Sequence, residues 1–466
     1  MQTHPTPTQT QTPRPNTVLA IATLSSFINP FMLSALNVAL PALSSELQLD
    51  AVTLSWVPTS FLLASAVVLV PAGRIGDIVG RKRIFQIGLN LFLVATLGCA
   101  LAGSAPVLIA ARVGQGCGAA LMMATSLAIL TAVFPPRERG RVIGITVAAV
   151  YVGLSAGPFL GGMLTQQWGW RSVFWVYLPL GVLLQLLVST RLRGEWADAR
   201  GEAVDGVGTL LYAVSLVTVM YGISRIPSWR GAGLAVIGLV LFGLFVGWQG
   251  RCRQPLVSIE LFRRNRQFAF SSLAALFNYS ATFSVVFLLS LYLQYVHGLS
   301  PREAGTVLVA QPLTMAFLSP VAGRLSDTRG SRAIATIGMG LTGGGLLLLA
   351  LLGSETGLIY IIACALFLGT GLALFSSPNM SAIMGAVERR QYGLASGTVS
   401  TMRLLGQMLS MGIATTVMAV LVGREAISME NHEGFLRAMR ICFVISAVLC
   451  GLGIPASLAR GRADPR

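Results

Sequence analysis

Apolar runs of about twenty residues recur along nearly the whole of this 466-residue chain, broken only by short connectors. As an α-helix, a run of that length crosses the hydrocarbon core of a bilayer, about 30 Å thick. Strands of a membrane barrel would instead alternate in shorter segments. Fourteen spans can be drawn, the first over 17–41 and the last over 435–458. Composition agrees: the chain is 54% hydrophobic and 11% charged, where a soluble domain carries about 25% charge. The expectation is an all-α polytopic membrane protein with 14 transmembrane helices and both termini on one side.

The net charge of +16 invites a nucleic-acid reading, and its distribution argues against one. Most basic residues fall in every second connector: Arg74 to Arg83, Arg137 to Arg141, Arg191 to Arg200, Arg251 to Arg266, Arg324 to Arg332, Arg389 and Arg390, and Arg460 to Arg466. The intervening connectors carry few, such as Arg225 and Arg302. This alternation is the positive-inside pattern. It puts both termini in the cytoplasm of a cell (inner or plasma) membrane protein, with the bilayer as partner and no nucleic acid. Residues 1–16 are a Thr/Gln/Pro tail with no basic leader, so the first helix is expected to be its own uncleaved signal. The six cysteines show no disulfide framework.

Internal repetition organises the spans. The pattern G-x-x-x-D-x-x-G-x-[KR] is written at Gly73 and again at Gly323, an offset of 250. RVGQGCGAAL near Gly116 aligns with FLGTGLALF near Gly369, and ERGRVIGIT with RQYGLASGT, at an offset near 253. Six spans fill each copy and two are left between them. The expected order is a cytoplasmic tail over 1–16, a six-helix bundle over 17–190, two inserted helices over 206–249, a second six-helix bundle over 268–458, and a tail over 459–466. Two pseudosymmetric halves related about the membrane normal provide for alternating access within one chain, so a functional monomer is expected.

The repeated loop has its own chemistry. Gly73 and Gly80 permit a tight turn and close helix approach. Asp77 sits among arginines at a helix end, where it can pair with Arg81 or the Arg137–Arg141 cluster and bias a gate that forms in one state and breaks in another. The second copy keeps Asp327 and Gly330. The alternative is a topological anchor in which Asp77 merely solvates the loop. Deeper in the spans, Arg112 and Arg403 are charges costing about 2.5–3.5 kcal/mol each on insertion scales unless they face water or a partner. Lining a central cavity is one reading; an interhelical bond to backbone carbonyls is the other. In span five Gly153, Gly157, Gly161 and Gly162 make a small-residue face, and Pro158 kinks the helix. Uncharged cavity candidates by span position are Asn37, Trp56, Gln115, Asn278, Tyr279 and Gln311.

Together these segments resemble the major facilitator superfamily. GRIGDIVGRKRIF is similar to its loop between helices two and three. APVLIAARVGQGCGAAL resembles its fourth-helix motif, with Arg112, Gln115 and Gly116 in place, and GLSAGPFLGG (153–162) resembles the fifth-helix motif of exporters. LNVALP (36–41), LSWVPTSFLL (54–63), WRSVFWVYLPLG (170–181) and YLQYVHGLSPREAG look like the fourteen-helix multidrug/proton antiporter branch, the EmrB/QacA type. The resemblance implies a secondary exporter of small amphiphilic compounds such as drugs or antibiotics, driven by protons. It implies substrate binding or proton coupling at Arg112, and a span-five face that packs across the halves and closes the outer side.

One departure matters. Members of that branch usually carry an acid in the first helix where this chain has Met32, and none of its 17 acids falls near the middle of a span. Asp77, Asp205, Glu303 and Asp327 fall at helix ends; His297 and His432 fall in outer connectors. Membrane proton relays normally use an acid or histidine within the bundle, so the usual coupling group is missing. Protons would then pass by Asp77, or by Glu303 with His297, or coupling is unusual. A cavity with arginines and no carboxylate suits anionic, zwitterionic or neutral solutes rather than lipophilic cations. The alternative to a drug exporter is therefore a dedicated transporter of an anionic or neutral metabolite without conventional carboxylate coupling. No nucleotide loop or H-E-x-x-H zinc motif occurs, so no enzyme, cofactor or metal site is expected.

Overall fold

The computed structural model describes residues 15–135, 138–252, 254–257, 259–388, 392–423 and 432–460. Arg137, Arg389, Arg390, both tails beyond those limits and the side chains of Asp327 and His432 lie outside the described set. Among the described residues every regular element is helical. That follows from composition: an apolar span in lipid must satisfy its own N–H and C=O groups, and a helix does so within one segment.

The N-terminal half is α1 (Pro15–Leu47), α2 (Ala51–Val79), α3 (Arg81–Ala100), α4 (Ala105–Val133), α5 (Arg139–Trp168) and α6 (Ser172–Arg191). Next come the inserted helices α7 (Gly206–Ser224) and α8 (Trp229–Gln249), and a short helix α9 (Ile259–Arg264). The C-terminal half is α10 (Arg266–Leu291), α11 (Pro301–Leu308), α12 (Ala310–Arg329), α13 (Ser331–Leu349), α14 (Leu358–Gly385), α15 (Tyr392–Leu421) and α16 (His432–Leu458). Fourteen segments are long and apolar enough to cross a membrane, α11 and α12 together forming the tenth. By parity both copies of the repeated loop, α2–α3 and α12–α13, lie at one end of the bundle, here called the arginine-rich end.

The halves repeat contact for contact. α1 packs on α5 and α6, α2 on α4, and α3 on α4 and α6; α10 packs likewise on α15 and α16, α12 on α14, and α13 on α14 and α16. Glycines at matching positions make these crossings. A methyl group on Gly118 would stand 2.6 Å from the Gly88 carbonyl, and one on Gly338 would stand 2.8 Å from the Gly371 carbonyl. Gly116 rests on the Phe61 carbonyl of α2; Gly369 rests on the Gln311 carbonyl of α12. Gly153 faces α1 and Gly406 faces α10 in the same way. Since lipid gives little hydrophobic drive between helices, close backbone approach supplies the packing.

Three local features depart from a plain row of spans. The tenth span breaks after Leu308, because Pro312 cannot donate to the Leu308 carbonyl four residues back. The ninth ends in a π-turn, Tyr292–Val296. The connector over 250–267 holds helix α9. Helix α7 touches both halves: the Tyr212 hydroxyl donates to the Ala66 carbonyl of α2 (3.1 Å), and Thr416 of α15 donates to the Ile223 carbonyl (3.3 Å).

Candidate functional site

Arg112 is completely buried inside the N-terminal half. Its Nε donates to the Val57 carbonyl of α2 (3.1 Å), its Nη1 to Gln115 Oε1 (2.6 Å), and its guanidinium lies 4.5 Å over the Phe61 ring. The Gln115 amide donates to Thr96 Oγ1 (2.7 Å) and to the Met32 sulfur (3.1 Å). Four helices are thus tied by one polar knot. Of the two expectations for Arg112, this conformation shows the bond to a backbone carbonyl, not an open cavity wall. Arg112 Nη2 has no partner, and the side chain facing the knot from α1 is the thioether of Met32.

The two halves meet at the end opposite the arginine-rich loops. Ser290 donates to the Asn37 carbonyl (2.7 Å), and Gln294, on the π-turn, donates to the Val38 carbonyl (3.0 Å). Ser55 and Thr415 share a hydrogen bond of 2.8 Å. The span-five glycines divide their work. Gly153, Gly157 and Gly161 pack on Phe27, Ser34 and Ala35 of α1, within their own half. Gly162 alone faces across, against Pro301 and Arg302, while the Pro158 carbonyl receives Gly305 of α11. No side chain fits at these crossings without moving the backbone opposite.

Near mid-depth five helices converge on Tyr151 of α5. Its phenol lies beside the hydroxyls of Ser319 (α12) and Ser376 (α14), within electrostatic reach of Tyr279 (α10) and Arg403 (α15). Arg403, Tyr151 and Tyr279 are half-buried. The Ser155 oxygen, one turn along α5, is buried without a hydrogen-bond partner among the described residues. Of the other candidates, Asn278 is fully buried and meets Cys450, so it faces α16 rather than this cluster. Gln311 is buried and lends its carbonyl to the α14 crossing. Trp56 lines a small crevice with Met220, Ile223 and Thr415, where α7 meets the seam. Asn37 contributes its backbone at the seam, and its Oδ1 is unpartnered.

At the arginine-rich end Asp77 accepts from Arg81 Nε (2.8 Å), and Arg81 also pairs with Asp198 at 2.8 Å. Asp198 belongs to the α6–α7 connector, which lies along the α2–α3 loop. Arg81 N donates to the Trp196 carbonyl (2.8 Å), Ala199 N to the Asp77 carbonyl (3.0 Å) and Lys82 N to Glu195 Oε1 (2.8 Å); Arg74 pairs with Glu202. Gly80 turns with φ +128°, and a side chain there would strike Glu195; Gly330 repeats the turn at φ +86°. Gly73 faces open space. Glu303 closes a capping box with Ser300 at the start of α11, whereas His297 pairs with the Tyr292 hydroxyl (2.9 Å). The proposed Glu303–His297 pair is therefore not brought together here.

Sequence reasoning missed Tyr151, Ser319 and Ser376 at the centre and Glu195, Asp198 and Glu202 at the loop. The acids left a signal, standing in an otherwise basic connector, RLRGEWADARGE. The hydroxyls left none, since serine and tyrosine occur throughout the spans.

Two pseudosymmetric six-helix bundles joined along one seam, with two helices inserted between them, define a membrane carrier rather than a receptor or a soluble binder. The chain belongs to the Major Facilitator Superfamily, whose model matches residues 22–268 and 271–466. It is 29% identical to the riboflavin transporter RibZ of Clostridioides difficile, over 94% of this chain and 95% of that one. It is 32% identical to the multidrug resistance protein Stp of Mycobacterium tuberculosis, over 82% of this chain and 72% of that one. Among solved structures it overlays on a peptide transporter, POT, bound to alafosfalin, with a TM-score of 0.68, 15% identity and 95% coverage of each chain.

Proposed function

We propose that the chain is a secondary active exporter of small amphiphilic compounds, working as a monomer by alternating access, with the proton gradient as its energy source. Its arginine-rich end and both termini face the cytoplasm of a cell (inner or plasma) membrane, in keeping with the charge alternation of the connectors. The observation that carries the reading is the seam: matching halves joined at the far end through Gly162, Gly305, Asn37, Ser55 and Thr415. Such a junction supports a conformer closed outside, with solute reaching the Arg403–Tyr279 centre from the cytoplasm. Asp77, Arg81 and the α6–α7 connector would then act as the gate at the inner end, with Asp327 in the second copy. A relative named for multidrug resistance favours the drug-exporter reading.

A second reading is favoured by one contact. Met32 occupies the place beside Gln115 and Arg112 where a carboxylate would couple protons. A dedicated carrier of an anionic or neutral metabolite, without such coupling, fits that chemistry, and the riboflavin relative keeps it in view. Transport of a substrate panel in everted vesicles, read with a pH-sensitive dye, separates the two. Proton-coupled export of several unrelated compounds is the expected result; transport of one compound with no proton movement would favour the second reading. In the same assay Met32→Glu is expected to enlarge substrate-induced proton flux, because it places a titratable group against Gln115, the partner of Arg112. No transport of any panel compound would overturn both.

A further inference from the structure

Arg460 stands two residues beyond the end of α16, at the arginine-rich end of the bundle. It is only 3% exposed, and its Nε, Nη1 and Nη2 are all buried with no hydrogen-bond partner among the described residues. Arg112, buried as deeply, meets Val57 and Gln115. The last carbonyls of a helix are the ordinary acceptors for a cation at that position, yet none of α16 receives Arg460; the Ala459 carbonyl accepts instead from Arg266 Nε at 2.9 Å. Burial lowers the Arg460 guanidinium only to about 10, so it stays charged at neutral pH. A buried charge without a partner is costly, and three orphaned donors on one side chain require an explanation.

Two further cations stand at the same corner. Thr336 of α13 shares a 2.8 Å hydrogen bond with Ser457 of α16 and donates to the Arg332 carbonyl at 2.8 Å. Arg332, one turn nearer this end, is therefore level with the end of α16. Arg266 opens α10 and is tied to the residue before Arg460. Arg266 and Arg332 are exposed, and no ion pair to either is seen among the described residues. Glu260 of the neighbouring α9 pairs with Arg264 at 3.0 Å. Helix α13 follows Gly330, which offers no side chain to cap the first N–H groups, so the positive end of its dipole adds to the same field. The matching corner of the N-terminal half is answered by acids, with Asp198, Glu195 and Glu202 meeting Arg81, Lys82 and Arg74.

We infer that Arg460, Arg266 and Arg332, with the start of α13, form a binding site for a phosphate group, brought by an anionic phospholipid or by free phosphate. The planar guanidinium of Arg460 pairs with two phosphate oxygens at once, and the uncapped N–H groups of α13 donate to a third. The exposed arginines draw the anion in from the surface. A span ends just before Arg460, which is the level of the lipid headgroups. The occupant would bridge α10, α13 and α16, all of the C-terminal half, and so brace that half rather than join the two.

Purified protein washed free of lipid in detergent tests the site by its melting temperature, with three additions: dioctanoyl phosphatidylglycerol, dioctanoyl phosphatidylcholine and inorganic phosphate. A ligand that binds only the folded state raises the midpoint with its concentration. Phosphatidylglycerol should do so more strongly than phosphatidylcholine, whose choline cation opposes the arginines. The apparent affinity should fall about tenfold or more in Arg460→Gln and about fivefold or less in Arg332→Gln, with Arg460→Lys keeping part of it. Without any addition Arg460→Gln should melt at or above the wild type, because it removes an uncompensated buried charge. A shift with phosphatidylglycerol that inorganic phosphate does not reproduce would assign the site to a lipid; a shift with phosphate alone would assign it to the free anion. An equal response of wild type and Arg460→Gln, or no response to any addition, would overturn the site. A clear loss of stability in Arg460→Gln without ligand would also overturn it, since the protein itself would then supply the partner.

Discussion

The two halves share a frame and differ in what they bury in it. Offsets fixed by the Gly88–Gly338 and Gly118–Gly371 pairs make Thr96, Arg112 and Gln115 the counterparts of Leu346, Ala365 and Leu368. All six are buried, none more than 4% exposed. In the N-terminal half this position holds a hydrogen-bonded knot across α1, α2, α3 and α4; in the C-terminal half it is plain apolar packing. A half-buried arginine of the second half stands elsewhere, Arg403 on the seam helix α15. One half therefore uses its arginine to hold itself rigid, and the other presents its arginine to the interface. The difference teaches that a backbone repeat does not carry its chemistry along: glycines preserve the crossings, and each half is then free to spend its polar groups differently.

The largest test removes the knot. Arg112→Ala removes the charged donor from the Val57 carbonyl and from Gln115 Oε1, and hydrogen bonds to charged groups contribute about 1.5–3 kcal/mol each. A loss of about 3 kcal/mol or more is expected, read as a lowered melting temperature and a poorer yield of folded protein, with transport lost as well. At the counterpart position Leu368→Met changes shape but not polarity and should cost less than about 1.5 kcal/mol. Similar losses at the two sites would break the contrast. If Arg112→Ala left stability and transport both intact, the assignment of any role to the knot would fail.

The frame was far more legible than the site, for a physical reason. Lipid admits one backbone solution for an apolar twenty-residue run, so spans could be read from hydropathy, and the glycine offsets of 250 and 253 are the crossings themselves. The break before Ala310 also had its cause in plain sight, at Pro312. Polar residues are different, because a helix carries its side chains in every direction and only the neighbours decide what each one meets. Arg112 and Gln115 stood out as polar residues within a span, yet nothing in the sequence says that Val57 offers a carbonyl or that Met32 completes the set. Tyr151, Ser319 and Ser376 become a cluster only when five helices converge. For the span-five motif the spacing revealed a packing face but not that Gly153, Gly157 and Gly161 face α1 while Gly162 faces the other half.

A moderate effect is expected where the repeated loop keeps its glycine turn but not its ion pairs. Around the first copy the α6–α7 connector is held by Arg81, Lys82 and Arg74 through Asp198, Glu195 and Glu202. Around the second, Arg332 is exposed and no ion pair to it is seen among the described residues. Arg81→Ala should free the connector and speed tryptic cleavage at Arg193 or Arg200. A partly exposed ion pair contributes up to about 1 kcal/mol, which corresponds to about fivefold in the population of the open segment. Arg332→Ala should leave that cleavage unchanged. Equal acceleration by both variants would show that the connector answers to the general charge of this end rather than to its own strap.

The inserted pair belongs to neither half and gives the smallest effect. Asp205 caps α7 through the Gly208 N–H (2.8 Å) and reaches α8 at Trp248 Nε1 (3.0 Å) and Gln249 Nε2 (2.7 Å). Burial pushes the Asp205 carboxyl upward, but the donors at Gly208, Trp248 and Gln249 outweigh it and hold the group below the usual carboxylate range. A carboxylate depressed in the folded state contributes stability that is complete above its unfolded value, about 3.9, and is lost as pH falls through the lower folded value. The hairpin should therefore be unaffected between neutral pH and mild acidity and loosen only in strong acid. The indole of Trp248 reports the event: its emission should shift at the acidic end in wild type, keep one value throughout in Asp205→Asn, and drop out of the difference spectrum in Trp248→Phe. A shift centred near neutrality would mean that another group controls this junction, and that the inserted helices are fastened by the seam contacts of Tyr212 and Thr416 rather than by their own cap.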